Sequence, residues 1–233
     1  FIMSKGHATP VQYAILSQFG YIPEEELKSF RQLGTRLQGH SVIGKPPGVE
    51  NSAGSLGMGL SFGLGQRIGL QLKGIDSHVY VLMGDGEHNE GQVWEAVMAA
   101  SHHRVTNLVA LIDRNGIQND DFTSSTMDAG SLAEKYEAFG WSAKSFVNGH
   151  DVADVKSALA WATKASANGP AVVQFATVKG KGVSFMENNP SFLGAPPNAE
   201  ESTLAMSELG SSHRSKRRKF LKKRLPAKHS DRH

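Results

Sequence analysis

The sequence predicts an α/β fold, a parallel sheet with helices on both faces, and three observations carry that prediction. Residues 78–83 and 107–112 are short apolar runs rich in branched side chains, each ending at glycine or polar punctuation, as buried parallel strands do. Between them, residues 92–103 place Val93, Ala96, Val97 and Ala100 on one helical face. A third run, 170–176, follows a predicted helix over 152–167 whose Val155, Leu159 and Ala162 form its inward stripe. Strands alternating with helices argue for crossover connections and a sheet covered on both sides.

The remaining elements follow in order. Two helices are expected upstream, over 10–19 and 23–33, the second opening with Pro23 and three glutamates as a helix N-terminus prefers. A third is expected over 57–72, although Gly57, Gly59, Gly63, Gly65 and Gly69 lower its intrinsic stability and point to close backbone approach, to a neighbouring helix or to a ligand. Residues 188–198, with Pro190, Gly194, Pro196 and Pro197, read as a loop, and 200–209 as a last short helix.

A chain of 233 residues can bury one substantial core, and the expected organisation is one domain over 1–210 with a basic, disordered tail over 211–233. The formal charge of +3 is a property of that tail: residues 213–233 hold ten Lys and Arg against the single Asp231, leaving fifteen basic and twenty-one acidic residues before it. Polyanion or nucleic-acid binding by the tail is the less favoured alternative to a solvated terminus. The absence of cysteine excludes disulfides, thiolate metal sites and cysteine nucleophiles, and a cytoplasmic location is expected. No stretch is apolar enough for a membrane span and no signal peptide is recognisable; a first residue Phe1 reads as an N-terminally incomplete sequence.

The chemistry centres on Gly84-Asp85-Gly86-Glu87-His88-Asn89-Glu90-Gly91, between the carboxyl end of one predicted strand and the start of a helix. That edge of a parallel sheet is where ligands bind. Glycines there admit a phosphate close to the backbone, and the helix N-terminus offers unpaired N–H groups and a positive dipole end. Asp85 supplies a hard oxygen for a divalent cation, and Asn115, thirty residues on at the end of the next strand, can add a side-chain carbonyl. Spacing alone leaves nucleotide and diphosphate cofactors equivalent.

The span from Gly84-Asp85-Gly86 to Asn115 resembles the thiamine-diphosphate motif, and the run Gly84 to Ala96 is similar to the transketolase family in particular. Four further blocks agree in order: Ser4-Lys5-Gly6-His7-Ala8; Phe30-Arg31-Gln32-Leu33-Gly34 with Gln38-Gly39-His40; Gly54-Ser55-Leu56-Gly57; and Val178-Lys179-Gly180-Lys181-Gly182. The resemblance covers roughly residues 1–200 and implies a thiamine-diphosphate-binding fold. It implies that Asp85, the Asn115 side chain and the Ile117 carbonyl hold Mg or Ca. It further implies that Gly86 and Glu87 border the diphosphate, that Gly54, Ser55 and Leu56 flank the cofactor rings, and that Lys5, Asp113 and Lys179 lie near the cofactor. His7 and His40 match histidines that contact cofactor or sugar hydroxyls and help move protons. Glu90 matches a glutamate linking paired active sites across a dimer interface; read on its own, it is a helix-start glutamate satisfied by the dipole. His88, His102, His103 and His150 receive no chemical role and read as surface or structural residues.

The activity so implied is two-carbon ketol transfer between ketose and aldose sugar phosphates. A transketolase needs a second, pyrimidine-binding domain that this chain lacks, so the chain is either a fragment or the N-terminal subunit of a split enzyme, inactive alone. Its expected partner is a C-terminal subunit carrying the pyrimidine and C-terminal domains, in a heterotetramer. One departure lies inside the matching region: where the family carries Trp-His-Gly, this chain has Phe192-Leu193-Gly194. Leucine cannot donate, accept or carry a proton, which keeps open a non-catalytic or divergent thiamine-diphosphate-binding paralogue with altered substrate.

Overall fold

The computed structural model describes residues 1–119 and 121–210. The expected tail over 211–233 lies outside the described residues. Five parallel strands form one sheet in the order β1-β2-β3-β5-β4: β1 Ile2–Met3, β2 Val79–Gly84, β3 Leu108–Arg114, β4 Ser142–Asn148 and β5 Ala171–Ala176. The helices are α1 Thr9–Gln18, α2 Gly59–Leu72, α3 Gly91–His102, α4 Thr123–Thr126, α5 Leu132–Ala138, α6 Val152–Ala165 and α7 Ala199–Glu208.

Alternation along β2 and β3 divides the core into two. Val79, Val81, Met83, Leu108, Ala110 and Ile112 face one side and pack with Leu60 and Leu64 of α2, the apolar stripe of α3, and Leu132 and Tyr136 of α5. Val109, Leu111, Val173 and Phe175 face the other and pack against Ala158 and Ala162 of α6. The predicted helices on both faces are thereby observed. A third cluster, Tyr13, Ile22, Leu37 and Val49, roots α1 and the loops that follow it.

Two glycines of α2 answer the question raised by the glycine-rich sequence. A Cβ on Gly63 would come within 2.5 Å of Val81 Cγ2, and one on Gly59 within 2.2 Å of Ser4 Oγ, so the helix lies closer to the sheet than any side chain would permit. One expectation is corrected, and some elements were not anticipated. The segment 23–33 forms only a 3-10 turn, Glu24–Ser29, because its apolar residues lack a stripe long enough to hold an α-helix against the core. Helix α5 and strand β4 were not anticipated, nor was the two-residue strand β1. Strand β4 is the sheet edge; its alternating, mostly polar residues need only one neighbour, and it is broken by a bulge between Lys144 and Val147.

Candidate functional site

Every strand of the sheet runs the same way, so the residues following β1, β2, β3 and β5 emerge side by side at one edge. These are Ser4-Lys5, Asp85, Asp113 to Asn115, and Thr177 to Lys179. Four of the sequence blocks meet there, with His40 of the fifth beside them. Gly6 sits so tightly between His40 and Gly54 that a Cβ would lie 2.9 Å from the imidazole Cδ2 and 3.1 Å from the Gly54 nitrogen. Gly57 likewise packs against Glu90, whose Cβ would be 2.6 Å from an added methyl. Gly54 and Ser55 are exposed and Leu56 half-buried on the loop leading into α2, while Glu90 is the exposed N-cap residue of α3 and makes no side-chain capping bond.

Asp85 is buried. Its Oδ1 accepts from the Gly86 N–H at 3.0 Å and its Oδ2 from the Gly116 N–H at 2.8 Å, the second bond made possible by the positive φ of Gly116. Burial raises its pKa, the two N–H donors oppose this, and nearby Asp113 raises it further. No ion pair reaches Asp85 among the described residues. Asp113 contrasts with it: burial alone would raise its carboxyl, but the Lys5 ammonium and hydrogen bonds from Lys5, Thr177 and Asn115 hold it below the usual range. Lys5, itself buried, is thus committed to Asp113. Lys179 is lowered by burial and by Lys5.

A divalent cation fits this donor set. A buried carboxylate without an ion-pair partner retains about half of its lone pairs for a metal, and Asn115 Oδ1, which accepts the Ile117 N–H at 3.1 Å, keeps one. No group of three or more acidic or histidine ligands exists among the described residues. Mg takes few protein oxygens and fills the rest of its sphere from phosphate and water. Lys179 adds positive charge to this edge. His7 is open to solvent on one side, yet its pKa falls to about 4 through desolvation by the cleft walls, then Lys5, Lys179 and His40, against a smaller opposing effect of Asp113. It is therefore a neutral acceptor and donor at neutral pH. His40 is exposed beside it.

The turn itself is pinned by its own residues. The Glu87 carboxylate points inward, accepting from the N–H of Gly57 at 2.9 Å, the N–H of Gly84 at 3.0 Å and the Ser4 hydroxyl. His88, fully buried, contacts the Gly84 carbonyl and the Tyr136 hydroxyl; burial lowers its pKa to about 4, opposed by the backbone bonds of Gly84 and Asp85. The sequence reading left His88 as a surface or structural residue, and the structure makes it a structural one. The signal was there in part: an imidazole inside a turn whose neighbours all serve it must be either exposed or bonded at both nitrogens. His150, also unassigned, accepts from the Val178 N–H at 2.7 Å and supports the loop carrying Lys179.

Fold and site together define an α/β domain whose buried acids and lysines gather at the carboxyl edge of a parallel sheet. The sequence matches the family described as transketolase, thiamine diphosphate binding domain, over residues 1–220. It is 36% identical over 209 residues to one of the subunits of the apulose-4-phosphate transketolase of Phocaeicola vulgatus, covering 90% of this chain and 73% of that one. It is 37% identical to the 6-deoxy-6-sulfo-D-fructose transketolase subunit SqwG of a Clostridium species, covering 80% and 67%. Among solved structures, the transketolase of Campylobacter jejuni superposes with a TM-score of 0.84 at 27% identity, covering 94% of this chain but 36% of that one. The chain belongs to the transketolase family, as its N-terminal, thiamine-diphosphate-binding part. The resemblance expected from the sequence is confirmed, as are the transferase class and the α/β fold.

Proposed function

We propose that this chain is the cofactor-diphosphate-binding subunit of a split transketolase that moves a two-carbon ketol unit between sugar phosphates. The observation that carries this reading is the meeting of four of the five sequence blocks, with His40 of the fifth beside Gly6, at one sheet edge with Asp85, a buried carboxylate with lone pairs to spare. Coverage of about two thirds or more of the single-subunit relatives, against little more than a third of a full-length transketolase, supports a partner that supplies the remaining domains.

In this reading Asp85, the Asn115 side chain and the Ile117 carbonyl hold Mg or Ca, and the cation carries the diphosphate. Gly86, the start of the turn after it, and Lys179 face the phosphate oxygens, with Lys5 and Asp113 setting the charge behind them. Glu87 acts from inside the turn. Gly54, Ser55 and Leu56 border the cofactor rings. When bound, thiamine diphosphate supplies the electron sink that lets a carbon–carbon bond beside a carbonyl break and re-form. The neutral His7 ring, with His40, binds sugar hydroxyls and exchanges their protons. Glu90, at the exposed N-terminus of α3, links paired sites in a heterotetramer whose other chains carry the pyrimidine and C-terminal domains.

Ketol transfer by the chain assembled with its partner, measured as coupled product formation, should fall at least a hundredfold in Asp85→Ala, by analogy with the loss of an electrostatic anchor for charge; turnover equal to wild type would sink the assignment. Half-buried Leu193, at the position where a histidine was expected, favours one second reading, a divergent member with altered substrate. Restoring Leu193→His would then broaden sugar use in the same assay.

A further inference from the structure

We propose that His88 is a positioning residue that aims the Asp85 carboxylate at its cation by holding the peptide between Gly84 and Asp85, and that Tyr136 on α5 sets its ring. The inference rests on the reading of Asp85 as a cation ligand and concerns what orients that ligand.

His88 Nδ1 lies 2.8 Å from the Gly84 carbonyl oxygen and Nε2 lies 3.0 Å from the Tyr136 hydroxyl. A carbonyl only accepts, so Nδ1 carries the proton; the neutral ring then presents a lone pair at Nε2, and Tyr136 donates to it. The tautomer is fixed by its partners. The same peptide is held at its other end, where the Asp85 N–H donates to the Asp113 carbonyl at 3.2 Å. The Gly84 N–H is taken by Glu87. With both faces of Gly84 committed, the backbone entering Asp85 has one orientation, and the carboxylate follows it. Trp94 reinforces the ring by donating to the His88 carbonyl at 2.8 Å and lying edge-on to the imidazole. Packing alone does not account for an imidazole here: it is fully buried against Trp94 and Tyr136, where an apolar side chain of like size would incur no desolvation.

The test compares His88→Leu, which removes both bonds, with His88→Asn, whose amide can still donate to the Gly84 carbonyl, and Tyr136→Phe, which keeps the ring and removes the hydroxyl. Mg²⁺ affinity is measured by calorimetry on the assembled enzyme with thiamine diphosphate present, and thermal unfolding is followed in parallel. Loss of a group that orients a metal ligand typically weakens metal binding by tenfold or more. A loss of about tenfold is expected for His88→Leu, a smaller loss for Tyr136→Phe, and recovery of most of the affinity in His88→Asn. A purely structural role would lower the unfolding temperature of all three and leave Mg²⁺ affinity in the folded enzyme unchanged, which overturns the proposal. Nitrogen NMR of labelled histidine on the chain gives an independent reading: the Nδ1–H form is expected for His88, and the Nε2–H form contradicts it. Should His88→Leu fail to fold, Tyr136→Phe with wild-type Mg²⁺ affinity is the overturning result. Wild-type enzyme that shows no cation-dependent cofactor binding refutes the cation assignment itself, and the positioning role with it; variants that match a binding wild type refute only the role of His88.

Discussion

Lys5 and Asp113 show how charge is distributed at single residues of this site. The Lys5 side chain is only 9% exposed and its ammonium is matched to Asp113, so removing the acid leaves a buried cation without compensation. Asp113→Asn should destabilise the chain by about 3 kcal/mol, whereas a Lys5→Met, Asp113→Leu pair should cost less than Asp113→Asn alone, because no charge remains buried; urea unfolding midpoints decide between these. His88 sets a pH dependence. Its folded pKa, about 4, lies below the ordinary 6.5, so the unfolded chain binds more protons between these values. Stability is fully present above pH 6.5 and is lost as pH falls toward 4, by about 3 kcal/mol from this one group. Unfolding measured from pH 7 to 4 should show a slope that flattens in His88→Asn; an unchanged slope would rule out this origin. Asp85 and Asn115 were placed by the sequence at the ends of predicted strands, whereas Lys5 came only from the resemblance, since the two-residue β1 before it leaves too short a pattern to read. The inward turn of Glu87 and the second hydrogen bond of His88 were not legible in the sequence, since they depend on Gly57 and Tyr136, which the chain brings in from thirty and forty-eight residues away.

Among the elements, α2 shows the glycine pattern most plainly. Gly63 lies against Val81, so Gly63→Ala should destabilise by about 2 kcal/mol through overpacking. Gly65 is exposed with nothing within 4 Å of a built Cβ, so Gly65→Ala should stabilise the same helix by about 0.8 kcal/mol. Thermal unfolding of the two variants, moving in opposite directions, checks the helix–sheet approach. Strands β2, β3 and β5 were readable because both of their faces are buried, which writes a continuous apolar run into the chain. The edge strand β4 and helix α5 were not. Ser142 to Asn148 holds one buried residue, Val147, and Leu132–Ala138 is two turns long, too short for periodicity to declare itself. The Ser131 cap, accepting from the Glu134 N–H, was the remaining signal for α5.

For the whole molecule, parallel topology turns distant sequence blocks into one surface. Five strands pointing one way place Lys5, Asp85, Asp113, Asn115 and Lys179 together although the first and last are 174 residues apart. In the proposed reading this edge receives the diphosphate of thiamine diphosphate, and a partner chain carrying the pyrimidine and C-terminal domains completes the active site. No helix among the described residues is long and apolar enough to cross a membrane. The most direct test of the central claim is a calorimetric titration of thiamine diphosphate into the chain assembled with its pyrimidine-domain partner, with Mg²⁺ present and again after chelation. The account predicts saturable binding that requires the cation and disappears in Asp85→Ala. Binding that persists without a divalent cation, or is undisturbed by Asp85→Ala, would contradict it.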